Sequence, residues 1–178
     1  METRKNLFVT GRPGVGKTTL IRRVLADLGV AAGGFTTDEI REGGERVGFA
    51  VSDLRGPSGI LAHVNLESEH RVGKYGVNRG DIERIGVPAL ETAVAGARLV
   101  VMDEIGRMEL CSPAFQQAVL RALDSPRPVL GTIQESRNPF LDAVRARADV
   151  EILVMTERNR DALAPLVLSK VRALLGER

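Results

Sequence analysis

Apolar positions open the chain as a short run, Asn6 to Thr10 (NLFVT). After a glycine turn they return at helical spacing in TLIRRVLADL, which predicts strand, loop and helix in succession. Gly29 supplies the usual helix stop. Val30 to Gly34 lead into FTTDEI, and beyond Gly43 and Gly44 a second strand-like run, RVGFAVSDL, completes a predicted β-hairpin. RGPSG at Arg55 to Gly59 reads as another turn, with ILAHV as a further antiparallel strand before the less regular region Glu67 to Gly86. From Val87 the pattern alternates. It predicts a helix over about Pro88 to Gly96, a strand RLVVMD, a helix after Ser112 and Pro113, and a strand PVLGTI. A helix after Asn138 and Pro139, a strand VEILVM and a closing helix from about Asn159 follow. Strands alternating with helices predict a mostly parallel sheet covered on both faces, a three-layer α/β sandwich with the hairpin region inserted into it. In the closing helix, Leu163, Leu166, Val167, Val171 and Leu174 recur at helical spacing, as expected of docking onto that sheet.

Composition narrows the picture. With 178 residues, 43% hydrophobic and 27% charged, the chain has material for one sizeable core and reads as a single soluble domain, 1–178. Lysine and arginine total 25 against 23 acidic residues, a formal charge of +2, with arginines scattered from Arg4 to Arg178. Arg22-Arg23 and Arg145 to Arg147 make only small clusters, so there is no electrostatic case for a nucleic-acid partner. One cysteine, Cys111, and two histidines exclude an internal disulfide and a cysteine-based zinc site, and a reducing cytoplasm is the expected setting. No stretch has the length and apolar character of a membrane span, and METRKNLFVTG does not resemble a signal peptide.

The glycine turn carries the chemistry. Gly11-Arg12-Pro13-Gly14-Val15-Gly16-Lys17-Thr18 satisfies G-x-x-x-x-G-K-[ST], the Walker A phosphate loop, at every fixed position and between a predicted strand and helix. Its glycines let backbone N–H groups turn inward toward phosphate oxygens, and the helix beginning near Lys17 adds its positive end. Lys17 is expected to reach the β and γ phosphates, Thr18 to place its hydroxyl on Mg2+, and Thr19 to approach an α phosphate.

Such a magnesium ion needs a carboxylate nearby, and Leu99-Val100-Val101-Met102-Asp103-Glu104 supplies it as a Walker B strand: four apolar residues with Asp103 emerging at the carboxyl end. Asp103 is then the metal residue, and Glu104 is the general base or the orienter of the attacking water. Asp103-Glu104-Ile105-Gly106 also fits the short D-x-x-G switch pattern, but no N-K-x-D guanine reader occurs in the chain. The adjacent glutamate resembles instead the additional-strand, catalytic-glutamate class of P-loop proteins, with Pro128 to Ile133 as the extra strand. Thr132 is either a sensor of the γ phosphate or a plain strand threonine. Arg107 and Arg137 are either charge donors to the γ phosphate or surface arginines. Phe35, Phe49 and Tyr75 either stack on a base or belong to the core.

Several longer segments occur together and in order: GRPGVGKTTL, GGFTTDEIREGGERVGFAV, VGKYGVN, VVMDEIGRMEL, GTI before NPF, and TERNRDAL. Over nearly the whole chain they resemble the THEP-type P-loop nucleoside-triphosphatase family, to which the cancer-related nucleoside-triphosphatase belongs. The resemblance implies Mg2+-dependent hydrolysis of ATP, GTP, CTP and UTP alike to diphosphate and phosphate. It also implies nucleotide-binding segments at Gly11 to Thr18 and at Val100, Val101, Met102, Asp103, Glu104, Ile105, Gly106 and Arg107. Gln134 departs from the family pattern, where proline or histidine is common, and bears only on the shape of its loop. Two other functions use the same loop. One is a small nucleoside or nucleotide kinase, with Arg71, Arg79 and Arg84 in Glu67 to Arg84 as an imagined lid; the other is a nucleotide-dependent switch reset by a partner. Glu104, suited to activating water, favours hydrolysis over the kinase, and no surface for a protein partner is legible.

Overall fold

The computed structural model describes residues 4–177. A nine-stranded sheet runs in the order β5-β6-β4-β3-β2-β7-β8-β1-β9. Its parallel half consists of β1 (Asn6–Thr10), β7 (Leu99–Ile105), β8 (Val129–Ile133) and β9 (Val150–Val154), with β2 (Ala32–Glu42) alongside β7. The other strands, β3 (Glu45–Asp53), β4 (Ser58–His63), β5 (Arg71–Val72) and β6 (Tyr75–Val77), extend it antiparallel from β2. β8 therefore lies between β1 and β7, the strands that end in the two motifs.

Alternation along the buried strands feeds two separate cores. Leu7, Val9, Val101 and Leu130 point to one face, packed by α1 (Lys17–Leu28) and α6 (Arg160–Leu174) through Leu20, Ile21, Val24, Leu163, Val167 and Val171. Phe8, Val100, Met102 and Val129 point to the other face, covered by α3 (Val87–Gly96), α4 (Pro113–Asp124) and α5 (Pro139–Arg145). A strand apolar on both sides reads in sequence as a continuous run, which is why LVVM carries no alternation of polar residues.

Local chemistry sets the helix ends. Ser112 accepts a hydrogen bond from the Phe115 N–H at 3.1 Å and Asn138 from the Phe140 N–H at 2.8 Å, each with proline next in the chain, as expected of N-caps. Gly29 closes α1 in the left-handed region at φ 63°. The region read as less regular is more ordered than expected. It holds the β5–β6 hairpin, a short helical turn α2 (Arg79–Asp81), and a π-helical turn over Ile82–Gly86 that runs into α3 one residue before the expected start. β2 starts at Ala32, earlier than FTTDEI suggests, because Gly34 (φ 120°) lets that strand lie close against β7. A Cβ there would stand 2.0 Å from the Val101 carbonyl oxygen.

Phe115, 1% exposed, meets Phe35 edge to face with ring centres 5.4 Å apart, joining α4 to β2. Phe115→Ala is expected to cost about 3–5 kcal/mol. That corresponds to a fall in melting temperature of roughly 6–20 °C for a chain of this size, read by thermal denaturation followed by circular dichroism.

Candidate active site

β1 delivers the chain to the phosphate loop at the carboxyl edge of the parallel strands. Gly14 (φ 79°) and Gly16 (φ 113°) take left-handed conformations that curl the loop, and α1 starts directly after Gly16 with no side-chain cap. Its first N–H groups are thus left for an anion. Lys17 folds back over the loop, donating to the carbonyls of Gly11 at 2.8 Å and Arg12 at 3.3 Å, with its ammonium 3.6 Å from Glu104 Oε2.

Asp103 is 1% exposed. The hydroxyls of Thr18, at 3.2 Å, and Thr132, at 2.6 Å, both donate to its Oδ1, while Oδ2 is buried without a partner. Burial raises its pKa, with the two hydroxyl donors opposing the shift. Thr132 is 0% exposed, so its side chain serves Asp103 and does not stand free to contact a γ phosphate. Strand order explains this: with β8 between β1 and β7, a β8 hydroxyl meets the β7 carboxylate side by side.

Glu104 follows at the mouth of the site. Burial raises its pKa; the Lys17 ammonium opposes that shift and the Asp103 charge adds to it. Further along, Glu109 is 5% exposed and accepts the Gly106 N–H at 3.1 Å. Burial pushes its pKa up to about 8, with the charges of Glu104 and Asp103 contributing in the same direction. The sequence assigns Glu109 no chemical role; its signal there is its place near the end of the VVMDEIGRMEL segment, three residues beyond Gly106. Gln134 accepts the Arg107 N–H at 2.9 Å, tying the loop after β8 to the loop after β7.

These groups border a cavity of about 790 Å3. Pro13, Gly14, Gly16, Lys17, Thr18 and Thr19 line one side, Glu104, Gly106, Arg107 and Glu109 the base, and Arg46, Phe49 and Tyr75 the facing wall on the inserted strands. Gly11, Arg12 and Val15 complete the loop without lining the cavity, Arg12 being exposed and Val15 packed in the α1 core. Within the second segment, Val100, Val101, Met102 and Ile105 are wholly buried in β7. They hold Asp103 and Glu104 in place without reaching the cavity, because a central strand turns its side chains to the two cores.

The remaining candidates separate. Arg107 faces the cavity, whereas Arg137 is absent from its walls, has a side chain 91% exposed and pairs with Asp142 at 3.4 Å. Phe49 and Tyr75 line the cavity; Phe35 is core. No arginine lid forms from Glu67 to Arg84: Arg79 pairs with Glu83 at 2.8 Å, Arg84 with Asp81 at 3.0 Å, and Arg71 donates to the Lys74 carbonyl at 2.9 Å.

The family model described as NTPase matches residues 6–168. Nucleoside-triphosphatase THEP1 of Thermotoga maritima is 46% identical over 97% of this chain and 98% of its own length. The human cancer-related nucleoside-triphosphatase is 40% identical over 95% of this chain and 97% of its own. The crystal structure of THEP1 from Aquifex aeolicus superposes with a TM-score of 0.86 at 34% identity, covering 93% of this chain and 98% of that one. By its sequence over almost its whole length and by its fold, the chain belongs to the NTPase family of THEP1 and the cancer-related nucleoside-triphosphatase.

Proposed function

We propose that this chain is a Mg2+-dependent nucleoside-triphosphatase that converts a nucleoside triphosphate and water to diphosphate and phosphate with little preference among bases. The observation that carries the reading is the convergence of three groups at one edge of the sheet. They are the phosphate loop with Lys17, the Thr18–Asp103 hydrogen bond of 3.2 Å, and Glu104 beside the Lys17 ammonium at 3.6 Å. β8 between β1 and β7, together with a glutamate directly after the β7 aspartate, supports assignment to the additional-strand, catalytic-glutamate class. A single cysteine among 178 residues supports a reducing, cytoplasmic setting, and one continuous sheet supports a single domain.

The donor set fits a magnesium ion. Thr18 and Asp103 offer hard oxygens, and the unpartnered Oδ2 of Asp103 is a buried acceptor waiting for a cation or its water. Among the described residues no group of three or more His, Cys, Asp and Glu side chains could hold a metal alone. Phosphate oxygens of the substrate would supply the remaining ligands of such an ion, which Thr18 and Asp103 would hold on the protein side. When bound, Mg2+ would neutralise the charge that develops on the transferring phosphoryl group.

The residues of the chain divide the remaining work. Backbone N–H groups from Gly14 to Thr18 cradle the phosphates, and Thr19 approaches the α phosphate. Lys17 donates to two loop carbonyls and would give these up for β and γ phosphate oxygens of a bound triphosphate, with Glu104 beside it to orient a water and accept its proton. Arg107, at the cavity base, lies within the same space to meet γ-phosphate charge. Kinase chemistry loses its supposed lid, since Arg71, Arg79 and Arg84 are engaged within their own segment.

Glu104→Gln is expected to keep triphosphate binding and lower phosphate release by about 10²- to 10⁴-fold; a wild-type rate in that variant would remove Glu104 from the base role. Lys17→Ala is expected to weaken both binding and release, checked by titration with a non-hydrolysable ATP analogue and by a phosphate assay. With ATP, GTP, CTP and UTP compared at equal concentration, release should occur from all four and cease on chelation of the metal by EDTA. A single active triphosphate would refute base tolerance, and release persisting in EDTA would refute the metal requirement.

A further inference from the structure

The cavity of about 790 Å3 is lined not only by the phosphate loop and Glu104 but also by Arg46, Phe49, Leu61 and Tyr75 of the inserted strands. Its outer wall is not made of phosphate-binding groups. Phe49 and Tyr75 meet edge to face with ring centres 5.3 Å apart, over Leu61, which is 2% exposed. The Arg46 guanidinium lies 5.2 Å from the centre of the Phe49 ring and donates from Nε to the Tyr75 hydroxyl at 3.1 Å and from Nη1 to Glu39 at 3.0 Å. Glu39 also pairs with Arg41 at 2.7 Å, so one carboxylate faces two guanidinium groups and the cluster keeps a net positive charge. With the Lys74 ammonium 5.5 Å from the centre of the Tyr75 ring, two aromatic rings, Tyr75 7% exposed, stand among three cations and one carboxylate, a combination that suits a planar ring carrying an anion.

Strand register locates this wall. Thr36 of β2 is level with Asp103, and Glu39, three residues further along β2, pairs with Phe49 of β3. Phe49 thus stands about 10 Å outward from the level of Asp103 and two strands to the side, a further distance of about 10 Å. Met108 and Glu109, which follow Glu104, border the same space as this wall. In the proposed triphosphatase, Thr19 marks the α-phosphate end of the substrate and Glu104 the γ-phosphate end. In the sheet order β1-β8-β7-β2-β3 the strand of Glu104 stands between the phosphate loop and the strand of Phe49, so on that reading the wall is reached beyond the γ-phosphate end.

We propose that this wall is a second ligand site, which binds a nucleoside monophosphate with its base against Phe49 and Tyr75 and its phosphate drawn to Arg46 and Arg41. The inference rests on the triphosphatase reading for which end of the cradle faces the wall. To test it, AMP, CMP, GMP and UMP are titrated into the full chain saturated with Mg2+ and a non-hydrolysable ATP analogue, whose own affinity is measured in the same series. Saturable binding of at least one monophosphate is expected, weakened about 5- to 100-fold by Phe49→Leu and by Arg46→Met. Phe49→Leu keeps an apolar side chain, and Arg46→Met changes a side chain that is 40% exposed, so neither substitution empties the core. No monophosphate binding to the analogue-saturated protein overturns the proposal, as does binding that neither substitution weakens. If Phe49→Leu weakens the analogue itself, the triphosphate's own base rests on this wall and the second site is refuted. Failure of the analogue to bind the wild-type chain would overturn the triphosphatase reading and this inference with it.

Discussion

A carboxylate held out of water must be compensated, and Asp103 is the residue around which that requirement shapes this protein. Two hydroxyls reach its Oδ1, one from the first turn of α1 and one from β8, while Oδ2 is unpartnered. The arrangement exists only because β8 lies between the strand that ends in the phosphate loop and the strand that ends in Asp103. Phosphate loop, carboxylate and central strand are thus interdependent: a change in strand order would separate the hydroxyls from the charge they support. The same burial that raises the pKa of Asp103 makes its free oxygen a strong acceptor for a cation.

Next to this pole the inserted strands add something a bare parallel sheet lacks. The antiparallel extension carries Arg46, Phe49 and Tyr75 to a position facing the phosphate loop, turning an open edge into a walled cavity. Ion pairing on this side is mostly local, with Arg79 and Arg84 paired to carboxylates within a few residues of the chain. Exposed pairs of that kind contribute little to stability. The wall stands mainly because Leu61 and Val77 join the core beneath it and Tyr75 belongs to both.

Legibility of the site in sequence follows from how far each feature reaches along the chain. The phosphate loop, both proline-led helix starts and the Gly29 stop depend on a handful of adjacent residues, so composition and spacing expose them. The two-core sheet was legible as well, since LVVM is apolar throughout and VLGTI is interrupted only by Thr132. Glu109 was not: its burial and its hydrogen bond to Gly106 come from a turn that packs back beneath the loop after β7. Arg107 and Arg137 looked alike in sequence, yet one faces the cavity and the other points into solvent.

By itself, the sequence determined where the chain could curl around phosphate, which strands were buried on both faces, and which carboxylates stood at a strand end, because backbone conformation and hydrophobic periodicity are local properties. Only the tertiary structure decided which side chains share a space. It turned Thr132 to Asp103, kept Val100, Val101, Met102 and Ile105 beneath the site, sent Phe35 to the core, and brought Phe49 and Tyr75 to the cavity. Those outcomes follow from strand order and register, which are settled by pairing between segments tens of residues apart and leave no mark in the spacing of any one of them.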